Sequence, residues 1–181
     1  MIFSKQQFFL VLRAQAGDKE AFNELLRGVQ EPLFRYIYRL TGERASAEDI
    51  LQEVFIIIYR KIKWLENPKL FQPWAYRIAS RETFRRLKTE TRRIQQITDE
   101  EILKLVQSAP PEEIYEPELI AKIPDFLAEL SPASRAVVVL HYLEEMPLSQ
   151  VAEILDIAIG TAKSRLSYGL ESLRKIVRSE N

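Results

Sequence analysis

The chain has 181 residues, 46% of them hydrophobic, with 26 Lys and Arg against 26 Asp and Glu and no cysteine. This length accommodates one medium or two small domains with packed cores, and the missing cysteines exclude a disulfide framework and a thiolate zinc site, which suits a reducing cytoplasm. No stretch approaches the roughly 18 apolar residues of a membrane span, and the N-terminus, MIFSKQQFFLVLRAQAGDKE, has neither a basic n-region nor a small-residue cleavage site, so a soluble, cytoplasmic protein without membrane insertion is expected.

The predicted elements are helices, and strand signals are nearly absent. Helical spacing covers residues 8–16, 19–40, 45–64 and 71–93. Asp18 before KEAFNELL, Ser46 before AEDILQEVF and Pro73 ahead of WAYRIAS mark helix starts. Ile50, Val54, Ile57 or Ile58, and Ile62 recur on one face, as the core of a helical bundle requires. From 94 to 124 acids accumulate, and Pro110, Pro111, Pro117 and Pro124 interrupt any long helix. A short helix over 99–106 fits inside this linker. Beyond it, 125–130, 132–142, 148–155 and 161–177 read as a compact four-helix unit, with Ser131 capping a helix that opens on Pro132. The expected fold is all-α, two small helical domains (1–93 and 121–181) joined by a flexible acidic linker (94–120), with no internal repeat.

Zero net charge hides a segregation. Residues 1–93 carry a net +7, 94–120 a net −6 and 121–181 a net −1. A polyanion would meet the N-terminal part and be repelled by the middle.

The segment LSQVAEILDIAIGTAKSRL spells two short helices around a tight turn. Ser149 suits an N-cap, Val151, Ile154 and Leu155 share a face, and a turn over 156–160 leads to Thr161, which can cap a second helix carrying Lys163, Ser164 and Arg165. In a helix-turn-helix these early positions enter the major groove, where Arg grips guanine at two points and Lys or Ser takes phosphates or base edges. An ordinary corner between core helices satisfies the same pattern, so context decides. Between Arg77 and Arg93 lie seven cations, Arg77, Arg81, Arg85, Arg86, Lys88, Arg92 and Arg93, interleaved with Phe84 and preceded by Trp74 and Tyr76. Such interleaving suits single-stranded DNA, whose bases stack while its phosphates are neutralised, although Trp74 and Ile78 fit a core position better than a stacking platform. In AEDILQEVF, Glu48, Asp49, Gln52 and Glu53 form a polar ridge on an apolar-backed helix, a pattern that a solvated helix start also produces.

Catalysis is not expected. The lone histidine, His141, sits in an apolar helix pattern with no ligand cluster, so neither a metal site nor a cofactor is indicated. GTAKS echoes a phosphate loop, but the upstream glycine and the preceding strand are missing.

Taken together, AEDILQEVF, WAYRIASRETFRRL and LSPASRAVVVLHYLEEMPLSQVAEILDIAIGTAKSRLSYGLESLRK, in this order and with this linker, resemble the sigma-70 family of bacterial RNA polymerase initiation factors, specifically its extracytoplasmic-function group. The resemblance covers nearly the whole chain. It implies that Asp49, Gln52, Glu53 and Phe55 bind the clamp helices of the largest subunit of core RNA polymerase. It assigns minus-ten recognition and promoter melting to Trp74, Arg77, Arg81, Arg85, Arg86 and Lys88, and minus-thirty-five recognition to Arg135, Thr161, Lys163, Ser164 and Arg165. Core polymerase and promoter DNA are the implied partners, with room for an anti-sigma factor, and the linker is expected to thread toward the RNA exit channel. The chain departs from the family pattern at Arg81, where many members carry Asn, at Arg85, where they carry Asp, and at SYGL over 167–170, where a further Arg pair is common. The alternative reading is a stand-alone helix-turn-helix regulator with an N-terminal partner-binding domain. A sigma factor would co-purify with core polymerase and bind promoter DNA poorly alone.

Overall fold

The computed structural model describes residues 5–97 and 116–179. Most of the expected linker, including the helix over 99–106, lies outside these residues. The described elements are α1 (Lys5–Gln15), α2 (Lys19–Thr41), α3 (Arg44–Lys61), α4 (Phe71–Ile97), α5 (Glu116–Ala128), α6 (Pro132–Val138), α7 (Leu148–Leu155) and α8 (Ile159–Ser179). Two 3₁₀ turns, Ile62–Trp64 and Pro68–Leu70, lead from α3 to α4, and a π turn, Val139–Leu143, prolongs α6. The fold is all-α, as the periodicity predicts.

Several helix ends follow the predicted chemistry. The Asp18 carboxylate accepts from the Ala21 N–H at 3.0 Å and starts α2, and this bond together with Arg13 holds its pKa below the usual carboxylate range. Ser131 caps α6 by accepting from the Ser134 N–H at 3.3 Å. Other ends differ. The α3 helix opens at Arg44, and Ser46 is buried inside it, donating to Glu43 Oε2 at 2.6 Å. Neither Ser149 nor Thr161 is a cap. Pro147, with its φ of −55°, precedes α7, while Asp156 ends it in the left-handed conformation (φ 56°, ψ 49°) and lets the chain re-enter a helix by Ile159. Pro124 does not break α5, which runs through it and buries Phe126 and Leu127 in its last turn.

The N-terminal bundle packs Val11, Leu33, Ile37, Val54, Ile58 and Phe71 at its centre, all nearly inaccessible. The C-terminal unit buries Val137, Val139, Leu140, Val151 and Ile154. Here the two units meet: their apolar residues form one continuous core, with α7 against α4 and with α5 and α6 against α2. Gly169 marks the tightest approach inside the C-terminal unit. A methyl group there would sit 2.8 Å from Val138 Cγ2, so this glycine serves the packing of α8 on α6, at the helix-propensity cost of about 1 kcal/mol relative to Ala.

Arg135 corrects an expectation. Instead of facing DNA it is only 9% exposed, and its guanidinium donates to the carbonyls of Leu40 (2.8 Å), Ala128 (2.6 Å) and Leu130 (2.9 Å). Leu40 belongs to α2, so the side chain ties the C-terminal unit to the N-terminal bundle. A long cation can do this because the last-turn carbonyls of helices lack intrahelical donors. Arg135→Ala should therefore lower the unfolding free energy in urea by at least about 3 kcal/mol, since hydrogen bonds to charged groups are worth about 1.5–3 kcal/mol each and three acceptors lose their donor, with water replacing part of the loss. A loss of minus-thirty-five discrimination with unchanged stability would restore the DNA-contact reading.

Candidate nucleic-acid interface

Helix α4 carries its cations at four-residue steps, Arg77, Arg81 and Arg85, so successive guanidiniums emerge along one side of the helix. Ala75, Tyr76, Ala79, Ser80 and Thr83 occupy the buried side. The Ser80 hydroxyl donates to the Tyr76 carbonyl, and the Thr83 hydroxyl to that of Ala79, each at 2.8 Å, so these polar residues are satisfied within the helix. Tyr36 and Tyr76 meet edge to face at 5.4 Å, and burial pushes both phenols up, keeping them protonated donors.

The two groups of residues assigned to polymerase and to melted DNA lie side by side. Arg85 Nη2 is 2.6 Å from Glu53 Oε2 and equally close to Glu82, while Arg86 Nη2 is 3.3 Å from Asp49 Oδ2. The hydrogen bond and charge of Glu82, reinforced by Glu53, raise the pKa of Arg85 further. Gln52 and Lys88 are exposed, and Phe55 is half-buried against the bundle core.

Beyond Gln52 the outer face of α3 continues into Ile56 (50% exposed) and Tyr59 (62%), with Phe22 meeting the Tyr59 ring edge-on at 5.3 Å. The sequence reading missed this apolar extension. Its signal was the run FIIIY, which holds more apolar side chains than one helix face can bury.

The other end of α4 faces the C-terminal unit. Arg77 donates through Nε (3.1 Å) and Nη2 (2.5 Å) to the Glu153 carbonyl in the last turns of α7. Arg81 lies 3.4 Å from Asp156. Trp74 is half-buried, its ring centroid 6.2 Å from that of Phe71, in a cleft with Leu65, Leu70 and Pro73 that Glu153 and Ile154 close.

On α8, Thr161, Lys163 and Ser164 are exposed and Arg165 partly so, while Ala162 is fully buried beneath them. Ser164 donates to the Gly160 carbonyl at 3.0 Å. The first turns of α8 thus present a polar, cationic edge seated on an apolar support, and Arg135 is not part of it.

The family model described as Sigma-70 region 2 matches residues 25–93, and that described as Sigma-70 region 4 matches residues 126–175. The chain is 30% identical over 177 residues to the ECF RNA polymerase sigma factor SigW of Bacillus subtilis, a match that spans 93% of this chain and 95% of that one. In fold it is similar to the sigma factor RpoE crystallised with the anti-sigma factor NepR from Bartonella quintana (TM-score 0.69, 22% identity, 88% of this chain and 98% of the other). It is also similar to CnrH in complex with the cytosolic domain of CnrY (TM-score 0.73, 17% identity, 98% and 100%). With both signature regions matched in order and one relative aligned almost end to end, the chain belongs to the extracytoplasmic-function group of the sigma-70 family, the sigma factors that direct RNA polymerase in transcription initiation.

Proposed function

We propose that the outer face of α3 docks on core polymerase through Asp49, Gln52, Glu53, Ile56 and Tyr59, with Phe55 bracing it from the core. Trp74, Arg77, Arg81, Arg85, Arg86 and Lys88 of α4 then hold the unpaired strand of the minus-ten element. The first turns of α8, with Thr161, Lys163, Ser164 and Arg165, read the minus-thirty-five element. The observation that carries this reading is the contact of α3 and α4: polymerase-facing acids and strand-facing cations neutralise each other in the free chain. Engagement of both partners exchanges weak exposed ion pairs for stronger ones, because exposed pairs are worth about 0–1 kcal/mol while phosphates release counterions on binding. A factor of this kind acts in the cytoplasm, where the polymerase is, and contributes contacts to the melting step instead of a reacting group. No described helix is long and apolar enough to cross a membrane. Because two proteins of similar fold are held by an anti-sigma factor or by a cytosolic domain of another protein, we extend a protein antagonist to this chain as well.

The docking face is checked by titrating labelled core polymerase with the double variant Gln52→Ala, Tyr59→Ala. Affinity should fall by about 2 kcal/mol or more, as truncation of a central aromatic anchor produces, with the helical signal unchanged. Unaltered affinity would move the polymerase contact elsewhere.

Arg85→Ala combined with Arg86→Ala should reduce open-complex formation on a duplex promoter and be largely rescued by a template with a pre-melted bubble, because the lost contacts are to single-stranded DNA. Permanganate reactivity of the open region equal to that of the parent chain would contradict the assignment of α4.

A further inference from the structure

Viewed down its axis, α8 has two sides. Ala162 and Gly169 are buried, and Leu166 and Leu173 pack against the core on the same side. Thr161, Ser164, Arg165 and Tyr168 lie away from this stripe at the i, i+3, i+4 and i+7 spacing of one helix face. Three of the four are the residues assigned to reading DNA. The fourth, Tyr168, falls in angle between Ser164 and Thr161, in the middle of that face.

Tyr168 is 67% exposed, the barest large apolar or aromatic side chain among the described residues of the C-terminal unit. It makes no ring contact and no hydrogen bond among the described residues. A single exposed aromatic is ordinary on a protein surface, so its placement is what gives this one meaning. Gly169 fixes that placement. Because a methyl group at 169 would stand 2.8 Å from Val138 Cγ2, α8 lies on α6 with its 169 side down, and the preceding residue, about 100° round the helix, is turned to solvent. The face is also free of acids: α8 carries none from Ile159 to Leu170, and the first, Glu171, is held by Lys175 at 3.0 Å. The surface that a DNA backbone can approach therefore extends as far as Tyr168.

We propose that Tyr168 is a specificity residue of this face, its ring covering the C5 methyl group of a thymine in the minus-thirty-five element. The inference rests on the assignment of α8 to that element.

The position and the chemistry together select this contact. Tyr168 lies about 4.5 Å along the helix axis beyond Arg165, at 1.5 Å per residue, little more than one base step of about 3.4 Å. With α8 along the groove, its ring meets the base next to the one that Arg165 reads. A guanidinium there would be drawn to guanine or to phosphate. A neutral ring is drawn to neither, and the apolar group that the major groove displays is the thymine methyl. An aromatic ring brings a broad, rigid contact surface with only two side-chain torsions to fix. The fold leaves this ring in water, so covering a methyl group with it is favourable.

The test uses the full chain bound to core polymerase. Holoenzymes of the parent, Tyr168→Phe, Tyr168→Ala and Arg165→Ala select from a duplex library randomised through the minus-thirty-five element. The parent and Tyr168→Phe should enrich thymine at the same position. Tyr168→Ala should lose that enrichment alone, by about fourfold, since a buried methyl group is worth about 0.8 kcal/mol and 1.4 kcal/mol is tenfold. Replacing that thymine with deoxyuridine removes only the methyl group, and it should weaken the parent by about fourfold while leaving Tyr168→Ala unchanged. Absence of thymine enrichment by the parent, or equal binding of the thymine and deoxyuridine duplexes, overturns the proposal. So does a loss shared by Tyr168→Phe and Tyr168→Ala and spread over all sequences, which would make the hydroxyl a phosphate contact. Arg165→Ala keeps the two readings apart. A changed preference in Arg165→Ala with none in Tyr168→Ala rejects the role of Tyr168 alone, whereas no change in either removes α8 from the element.

Discussion

A buried carboxylate is the constraint around which the two halves of this chain are arranged. Glu144 reaches across the seam to Arg39 on α2 and Tyr76 on α4, and a charge so placed costs several kcal/mol unless every lone pair is engaged. Satisfying it fixes where the π turn must end and which face α7 offers to α4. Arg135 repeats the arrangement with opposite polarity, a cation entering a ring of carbonyls from both units. Its Nε finds no partner among the described residues, and burial lowers its pKa. The units therefore share a core, yet what defines their register is polar and chargeable. A wholly apolar seam would hold as firmly with far less directional definition.

The second theme is mutual neutralisation. Residues 1–93 hold a net +7, but three cations of α4 are answered locally: Arg85 by Glu53 and Glu82, Arg86 by Asp49, Arg81 by Asp156. These pairs are solvent-exposed and weaken with salt. In the proposed function each pair is exchanged at small cost, the acids for polymerase and the cations for DNA. Function in this reading is carried by surfaces that serve as each other's placeholders.

How far the sequence discloses this depends on the range of the interaction. Helix positions were legible because apolar spacing and local caps such as Asp18 and Ser131 act within a turn or two. The span 148–155 of α7 was legible, but Pro147 holds the cap position offered to Ser149, and the left-handed Asp156 lets α8 start at Ile159, ahead of the Thr161 cap the sequence suggests. The Lys163 edge of α8 was readable from its spacing. Arg135 was not, because its α2 acceptor lies 95 residues away, and nothing in a one-dimensional pattern distinguishes a cation that reads DNA from one that clamps carbonyls. Glu144 was silent for the same reason, its partners lying 105 and 68 residues distant. Gly169, within the SYGL departure, proved to be the point where α8 approaches Val138. The apolar run that ends at Tyr59 gave no sign of which residues face outward until α2 and α4 were in place against the buried Ile58.

The proposed pairing of α3 acids with α4 cations as placeholders for polymerase and DNA is tested most directly by the affinity of the full chain for single-stranded DNA at low salt, compared with that of the double variant Asp49→Asn, Glu53→Gln. The account predicts tighter binding by the variant, because Arg85 and Arg86 lose the acids of α3 that pair with them. Equal affinity, or weaker binding with the helical signal unchanged, would contradict it.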